Sequence, residues 1–482
     1  MDPARFQNDR FGFAAAVERA AALARLGGAE WAADDVGGAG PPAPRSRLVR
    51  GLRWRAEVLR EAVARRRAKA RAASRSAKPR VLYLIPYDAI RPVIGGSVRT
   101  HELGRLLAAE FRVTIVTIAG PRQDEQVLPL APDLNLAIFP VSQAMSDEIE
   151  HNRVRMKNAA WSVELQRRGA EIPNLAAYLR SARDRLACLL ISGPFLYPCV
   201  EQLAPEVPVV YETIDVATDF LRMVAGSADI SAEVRETEEI ERRLIAKAAA
   251  VVCVSEHDRD EMVKRFGADR GNFRLVPNGV NVRRRLFVEP GRSRRHREEC
   301  GIPRPVVLFL GSAMEANLKA AQFIAGELAP ALPHALFVAA GLGGDELAGP
   351  APENMVFTGA VMDSGLLKEA LFLLSEVAIA PMTLGTGSSL KIPDYLAHGK
   401  AVVSTELGVR GHDAMKPFVT IAPMDQFRAA VSGVLADLET TPSCFDARGR
   451  DGRARVAETL DWSVVAEPLV RELRAQAKRG TP

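Results

Sequence analysis

Residues 377–403, VAIAPMTLGTGSSLKIPDYLAHGKAVV, constrain the fold more than any other part of this 482-residue chain. Residues 377–381 are a short apolar run, as expected of a strand buried on both faces of a parallel sheet. The loop LGTGSS (384–389) follows, with two glycines and three hydroxyls in six residues. A loop of this composition frees backbone N–H groups and lets them approach an anion closely. The pattern then predicts a helix whose positive end lies beside the loop. Lys391 falls in its first turn, where the helix dipole disfavours a cation, so the lysine points to an external anion. Asp394 lies three residues on and shares roughly the same face. N–H donors, an ammonium and a carboxylate thus meet in one place. A nucleoside diphosphate needs the first two at its phosphates, and the carboxylate suits ribose hydroxyls. A plain strand-to-helix turn with a solvated lysine fits the same residues.

A chain of this length exceeds one ordinary core, so two or three domains are expected. Five cysteines, at 188, 199, 253, 300 and 444, are scattered without a CxxC pair. That usage predicts reduced thiols and a cytoplasmic setting. No apolar run reaches transmembrane length, and Glu18, Arg19 and Arg25 interrupt the N-terminal apolar stretch, which argues against a signal peptide. Residues 11–26 predict a short helix stopped at Gly27, and GGAGPPAP (37–44) reads as a flexible linker. Much of the net charge of +5 comes from residues 45–80. Leu52, Ala56, Leu59 and Val63 recur there at helical spacing. A basic amphipathic helix of this kind suits peripheral contact with an anionic membrane; a solvated arm is the alternative. No aromatic interleaving accompanies the charge, so nucleic acid is not expected as a partner.

From residue 80 strands and helices alternate, which predicts parallel α/β sheets. VLYLIP (81–86), a loop with Gly95 and Gly96, a helix at 97–110 and a strand at 111–120 form a β-α-β unit. Its glycine loop lies at the carboxyl end of the first strand, where open α/β sheets bind ligands. Strands are expected at 186–192 and 208–215, and Glu212 and Asp215 end the second. They suit proton transfer with an acceptor or capping of the next helix. The Arg-rich residues 283–304 read as an interdomain linker. Beyond it, VVLFLGS (306–312) opens a second set of strands, with Gly311 at its end and Asn317 starting a helix.

GTGSSLKIPDYLAHGKAVVST resembles the donor-site segment of the GT-B glycosyltransferases, those of family 4 in particular. The segment 235–282, with its Val-Ser-x-x-Asp order and Pro-Asn-Gly-Val turn, and the Gly311…Asn317 step are similar to the same group. The resemblance runs over roughly residues 80–480. It implies two Rossmann-like domains facing a cleft, with a helical, basic N-terminal extension at 1–79. The first domain would span 80–285 plus a returning helix at 463–480, marked by Trp462, and the donor domain 286–462. It implies transfer of a sugar from a nucleotide sugar to an acceptor hydroxyl, with retention, in a glycan, lipid-linked or other acceptor of cell-surface synthesis. No metal or other cofactor is implied. By motif position Lys391 would contact the donor phosphates and Asp394 the ribose. Gly95, Gly96, Gly311, Asn317, Gly385, Thr386, Gly387, Ser388 and Ser389 would line the donor diphosphate. Thr358 to Val361 would face the nucleobase, and Glu212 and Asp215 the sugar or acceptor. Two positions depart from the pattern: Asp394 replaces a glutamate, and Thr386 stands where many members carry another. A nucleotide-sugar epimerase and a non-catalytic nucleotide-binding scaffold are the alternatives.

Overall fold

The computed structural model describes residues 6–7, 9, 12–26, 78–182, 186–203, 207–347, 349–363 and 365–479. In chain order the first eight strands are β1 (Arg80–Ile85), β2 (Arg112–Ala119), β3 (Gln126–Ala131), β4 (Leu134–Pro140), β5 (Leu186–Ser192), β6 (Val209–Thr213), β7 (Ala250–Cys253) and β8 (Phe273–Leu275). They form one sheet in the order β3-β4-β2-β1-β5-β6-β7-β8, parallel except for β3 against β4. Six more, β9 (Val306–Leu310), β10 (Leu336–Ala340), β11 (Met355–Phe357), β12 (Val377–Ala380), β13 (Ala401–Ser404) and β14 (Val419–Ile421), form a second, parallel sheet, β11-β10-β9-β12-β13-β14.

Each sheet has one point where the chain stops building outward in one direction and restarts in the other. It lies between β1 and β5 in the first sheet and between β9 and β12 in the second. Loops leaving the carboxyl ends of strands on either side of such a point diverge and open a crevice. The loops after β1, β5, β9 and β12 are therefore the expected ligand loops, and they include both glycine-rich stretches singled out in the sequence.

The inner strands read as unbroken apolar runs, as burial on both faces demands; β12 and β13 are fully buried. The hairpin β3–β4 was not foreseen. Pro129, Pro132 and Pro140 interrupt its pattern, and β3 is an almost wholly exposed edge strand, where proline is tolerated.

The Arg-rich segment is not a free linker. Its helix Pro290–Glu299 packs on the helices Leu366–Leu374 and Pro442–Thr459. Arg297 is buried in it and binds Glu376 at 2.7 Å. The chain instead crosses between domains at residues 277–282 and again at 460–466, where Val280 bridges Asp461 side by side. The closing helix Glu467–Arg479 returns to the first domain, with Glu472 on Arg274 at 2.9 Å and Arg474 paired with Glu110.

Residues 1–79 are not all an appendage. The helix Phe13–Leu26 lies against the helix Leu366–Leu374 of the second domain. It buries Phe13, Ala16, Val17, Ala20 and Ala24, an apolar stripe at helical spacing. Gln7 pairs with Phe357 and extends the β11 edge. The basic residues 45–77 lie outside the described residues.

Candidate active site

A cavity of about 670 Å³ lies between the carboxyl ends of the two sheets. Its second-domain half is built around the loop 384–390. Arg410 donates to the carbonyls of Gly387 (3.1 Å) and Gly385 (3.0 Å). His412 Nε2 reaches the Ser389 carbonyl at 2.6 Å. The Asn278 amide donates to the Ser388 carbonyl (2.8 Å) and hydroxyl (3.2 Å). With its carbonyls tied back in this way, the loop keeps its donors free. Among the described residues the N–H groups of Gly385 to Ser389 reach no protein acceptor. Gly387 has φ +60°, and a Cβ there would lie 2.5 Å from the Ile214 carbonyl and 2.7 Å from Asp215 Oδ1. Only glycine allows the second-domain loop to come this close to the first domain.

Lys391 follows at the start of the helix Lys391–Ala397. Its ammonium donates to Asn317 Oδ1 at 2.8 Å and lies 5.7 Å from the Phe309 ring centre. Among the described residues no carboxylate lies within ion-pair distance of it, and burial pulls its pKa down to about 8. Asn317 is itself anchored, donating to the Ser312 carbonyl at 3.0 Å. A desolvated ammonium without a counter-charge, next to unpaired amides, is a site for an external anion.

The first-domain half faces this loop. Gly95 and Gly96 open the helix Gly95–Leu107, and a Cβ on Gly95 would touch Leu390 across the cleft at 3.3 Å. Asp215 lies at the cleft after β6. Burial raises its pKa to about 6, and Asp258 adds to the rise, while the Thr386 hydroxyl pulls the other way. The structure thus brings Gly95, Gly96, Asp215, Gly311, Asn317, Gly385, Thr386, Gly387, Ser388, Ser389, Lys391 and Asp394 to the lining of one cavity. Val361 also lines it, whereas Thr358 is fully buried and spends its hydroxyl on the Gly359 carbonyl at 3.0 Å.

Glu212 does not belong to this lining. It is completely buried behind it, bound to Arg99 Nε at 2.8 Å and to the Tyr83 hydroxyl. Glu212 lies within β6, which ends at Thr213, so its side chain packs on a covered face of the sheet, whereas Asp215 lies beyond the strand end, where the cleft opens. Arg99, equally buried, carries the network on to the Pro277 carbonyl (3.1 Å) and Asn278 Oδ1 (3.2 Å). A chain of hydrogen bonds therefore runs from Glu212 through Arg99 and Asn278 to Ser388 in the loop 384–390.

Asp394 lines the cavity but is already engaged. Arg285 Nε lies at 2.8 Å and the Lys368 ammonium closer still. Burial alone would raise its carboxyl, but these two cations outweigh it and hold it below the usual range. Asp363 shares both partners, each at 2.7 Å. His398 stacks on Phe372, at 3.6 Å between ring centres, and ties Glu369 into the same cluster at 3.1 Å. The sequence reading missed Arg285, Lys368, Asp363, Asn278, Arg99 and Arg410. Asn278 alone had a signal, its Pro-Asn-Gly turn. Ser255 caps the helix Glu256–Phe266, its hydroxyl accepting from the Asp258 backbone N–H at 3.0 Å and donating to the Asp258 carboxylate, and Asp260 pairs with Arg270.

The sequence model of the Glycosyl transferase 4-like domain matches residues 95–279, and that of Glycosyl transferases group 1 matches residues 304–437. No curated protein matches the chain by sequence. Among solved structures, sucrose-phosphate synthase from Thermosynechococcus elongatus aligns with a TM-score of 0.63 at 15% identity, covering 83% of this chain and 100% of that one. A UDP-forming α,α-trehalose-phosphate synthase from Burkholderia vietnamiensis gives 0.59 at 14% identity, covering 85% and 100%. Anabaena HepE, solved in complex with UDP and glucose, gives 0.58 at 12% identity, covering 82% and 100%. Two matched domains in the right order, on two facing sheets with ligand loops at their switch points, lead to one conclusion: the chain belongs to the GT-B glycosyltransferases of the family 4-like, group 1 type, enzymes that use nucleotide-sugar donors.

Proposed function

We propose that this enzyme transfers a sugar, with retention and without a metal, from a nucleoside diphosphate donor held by the loop 384–390 and Lys391. The acceptor hydroxyl lies beside Asp215. The bond from the acceptor oxygen to the anomeric carbon forms as the bond from that carbon to the diphosphate breaks. The ionised Asp215 takes up the hydroxyl proton. Charge grows on the leaving diphosphate, and the unpaired amides and the Lys391 ammonium are already oriented to stabilise it. The observation that carries this reading is the desolvated Lys391, which has no carboxylate partner among the described residues, beside N–H groups that reach no protein acceptor among them.

Gly95, Gly96 and Gly311 approach the same diphosphate from the facing loops, and Val361 borders the nucleobase. Asp394 acts at the ribose through the Arg285–Lys368 cluster. The basic residues 45–80 support a peripheral contact with an anionic membrane on the cytoplasmic side. The family resemblance supports an acceptor in cell-surface glycan synthesis. Nucleoside diphosphates screened by thermal shift should stabilise the wild type by mass action. The stabilisation should be lost in Lys391→Ala, whose turnover should fall about 10²-fold. An unchanged shift in that variant would remove Lys391 from the donor site. Proton NMR of the new glycosidic bond checks retention.

A further inference from the structure

The two halves of the cavity differ in kind. Its second-domain half carries Lys368, Lys391 and Arg410 with Asp363 and Asp394. Its first-domain half carries no lysine, arginine or histidine among the described lining residues, and Asp215 is its one carboxylate. What it offers instead is apolar. Trp161 comes from the helix Ala159–Arg168, and Phe220 and Met223 from the helix Ala217–Ala225. Phe195 lies beside Phe220, with ring centres 6.3 Å apart. Val93, 40% exposed, forms an apolar rim at the mouth.

The polar atoms on this wall are mostly spent inside the protein. Trp161 Nε1 donates to the Pro86 carbonyl at 2.7 Å. The Tyr87 hydroxyl bonds Thr100 Oγ1 at 2.9 Å. Ser192 is 2% exposed and lies beside that phenol. Asn158, Ser162 and Asp215 are the polar side chains left to face an acceptor. A sugar phosphate would bury a dianion here without a cation, and a free hexose would leave several hydroxyls unpaired. Both carry a desolvation penalty. A single hydroxyl on an apolar body avoids both penalties, because its oxygen reaches Asp215 and its surface covers the aromatic side chains.

We infer that the acceptor is an uncharged lipophilic alcohol or phenol, seated on Trp161, Phe195, Phe220 and Met223 with its hydroxyl at Asp215. This rests on the donor assignment made above. The acceptor wall thus selects against the phosphorylated sugars that a cationic wall would favour.

The test offers the enzyme 2-naphthol, glucose and glucose 6-phosphate in turn, each with the nucleotide sugar that stabilises it most. Product mass and nucleotide release are followed. Transfer to 2-naphthol should exceed transfer to either sugar by at least about tenfold in kcat/KM. Phe220→Ala should raise the KM for 2-naphthol about tenfold while leaving nucleotide affinity unchanged, which also shows that the variant is folded. Preference for glucose or glucose 6-phosphate overturns the inference and leaves the donor reading intact. So does an absence of naphthyl glycoside while nucleotide still binds. Calorimetry of 2-naphthol alone, on wild type and Phe220→Ala, tests the wall even where the donor reading fails. Equal affinity for the two proteins, or no binding to either, overturns it.

Discussion

Lys391 and Asp215 line the same cleft from different domains, with shifts that share a cause. Desolvation disfavours the charged form of each, lowering the lysine to about 8 and raising the aspartate to about 6. For Lys391 the native state binds fewer protons than the unfolded chain between about 8 and the ordinary lysine value. A diphosphate bound there, as proposed, would restore the proton. Nucleotide binding at pH 8.5 should therefore take up a substantial fraction of a proton, seen by calorimetry in buffers of different ionisation enthalpy. Lys391→Ala should take up none. For Asp215 the native state binds more protons than the unfolded chain between the ordinary carboxylate value and about 6, so its contribution to stability falls as pH rises through that window. Its base form is present above about 6. The pH profile of kcat/KM should accordingly rise with a limb near 6. Asp215→Asn should remove the limb and lower the rate about 10²-fold. A limb that survives the substitution would assign the titration to another group.

Among the elements, the helix Phe13–Leu26 shows where local reading stops. Its Ala-rich periodicity was enough to expect a helix, but the sequence contains nothing that says what the stripe covers. Phe13 is wholly buried, in edge contact with Phe6 at 6.2 Å between ring centres. Phe13→Ala should cost about 3–5 kcal/mol, measured by urea unfolding. A loss of only a few tenths would mean that the helix adds little to the second domain. The segment 283–304 teaches the converse. Eight arginines among mostly polar residues look solvated, yet Arg285 and Arg297 are buried against carboxylates from 363–394. A charge and its counter-charge some 80 to 110 residues apart leave no local pattern. Removing one partner of such a buried pair leaves the other unpaired, so the cluster fixes the geometry behind Asp394.

Across the whole molecule, the two domains meet through two adjacent chain crossings and the loop 384–390. Gly279 lies at the crossing, where a Cβ would stand 2.8 Å from the Leu460 carbonyl and 2.9 Å from the Trp462 ring. Gly279→Ala should push the crossings apart. We expect it to lower nucleotide affinity together with kcat, because the neighbouring Asn278 holds the Ser388 carbonyl and hydroxyl of the loop 384–390. An unchanged affinity would show that the loop keeps its shape without that tie. The sequence by itself determined the alternation of strands and helices, the two glycine loops and the lysine that follows one of them. These depend on short-range spacing: period-two or unbroken apolar runs, turn residues, and a cation set against a helix dipole. Only packing established that Glu212 is a buried anchor, that Asp394 is held by Arg285 and Lys368, and that an aromatic wall whose one described charge is Asp215 faces the half of the cavity that carries Lys391 and Arg410. Those outcomes depend on which side of a strand a residue faces and on pairings across distant segments, and only the packed chain brings them together.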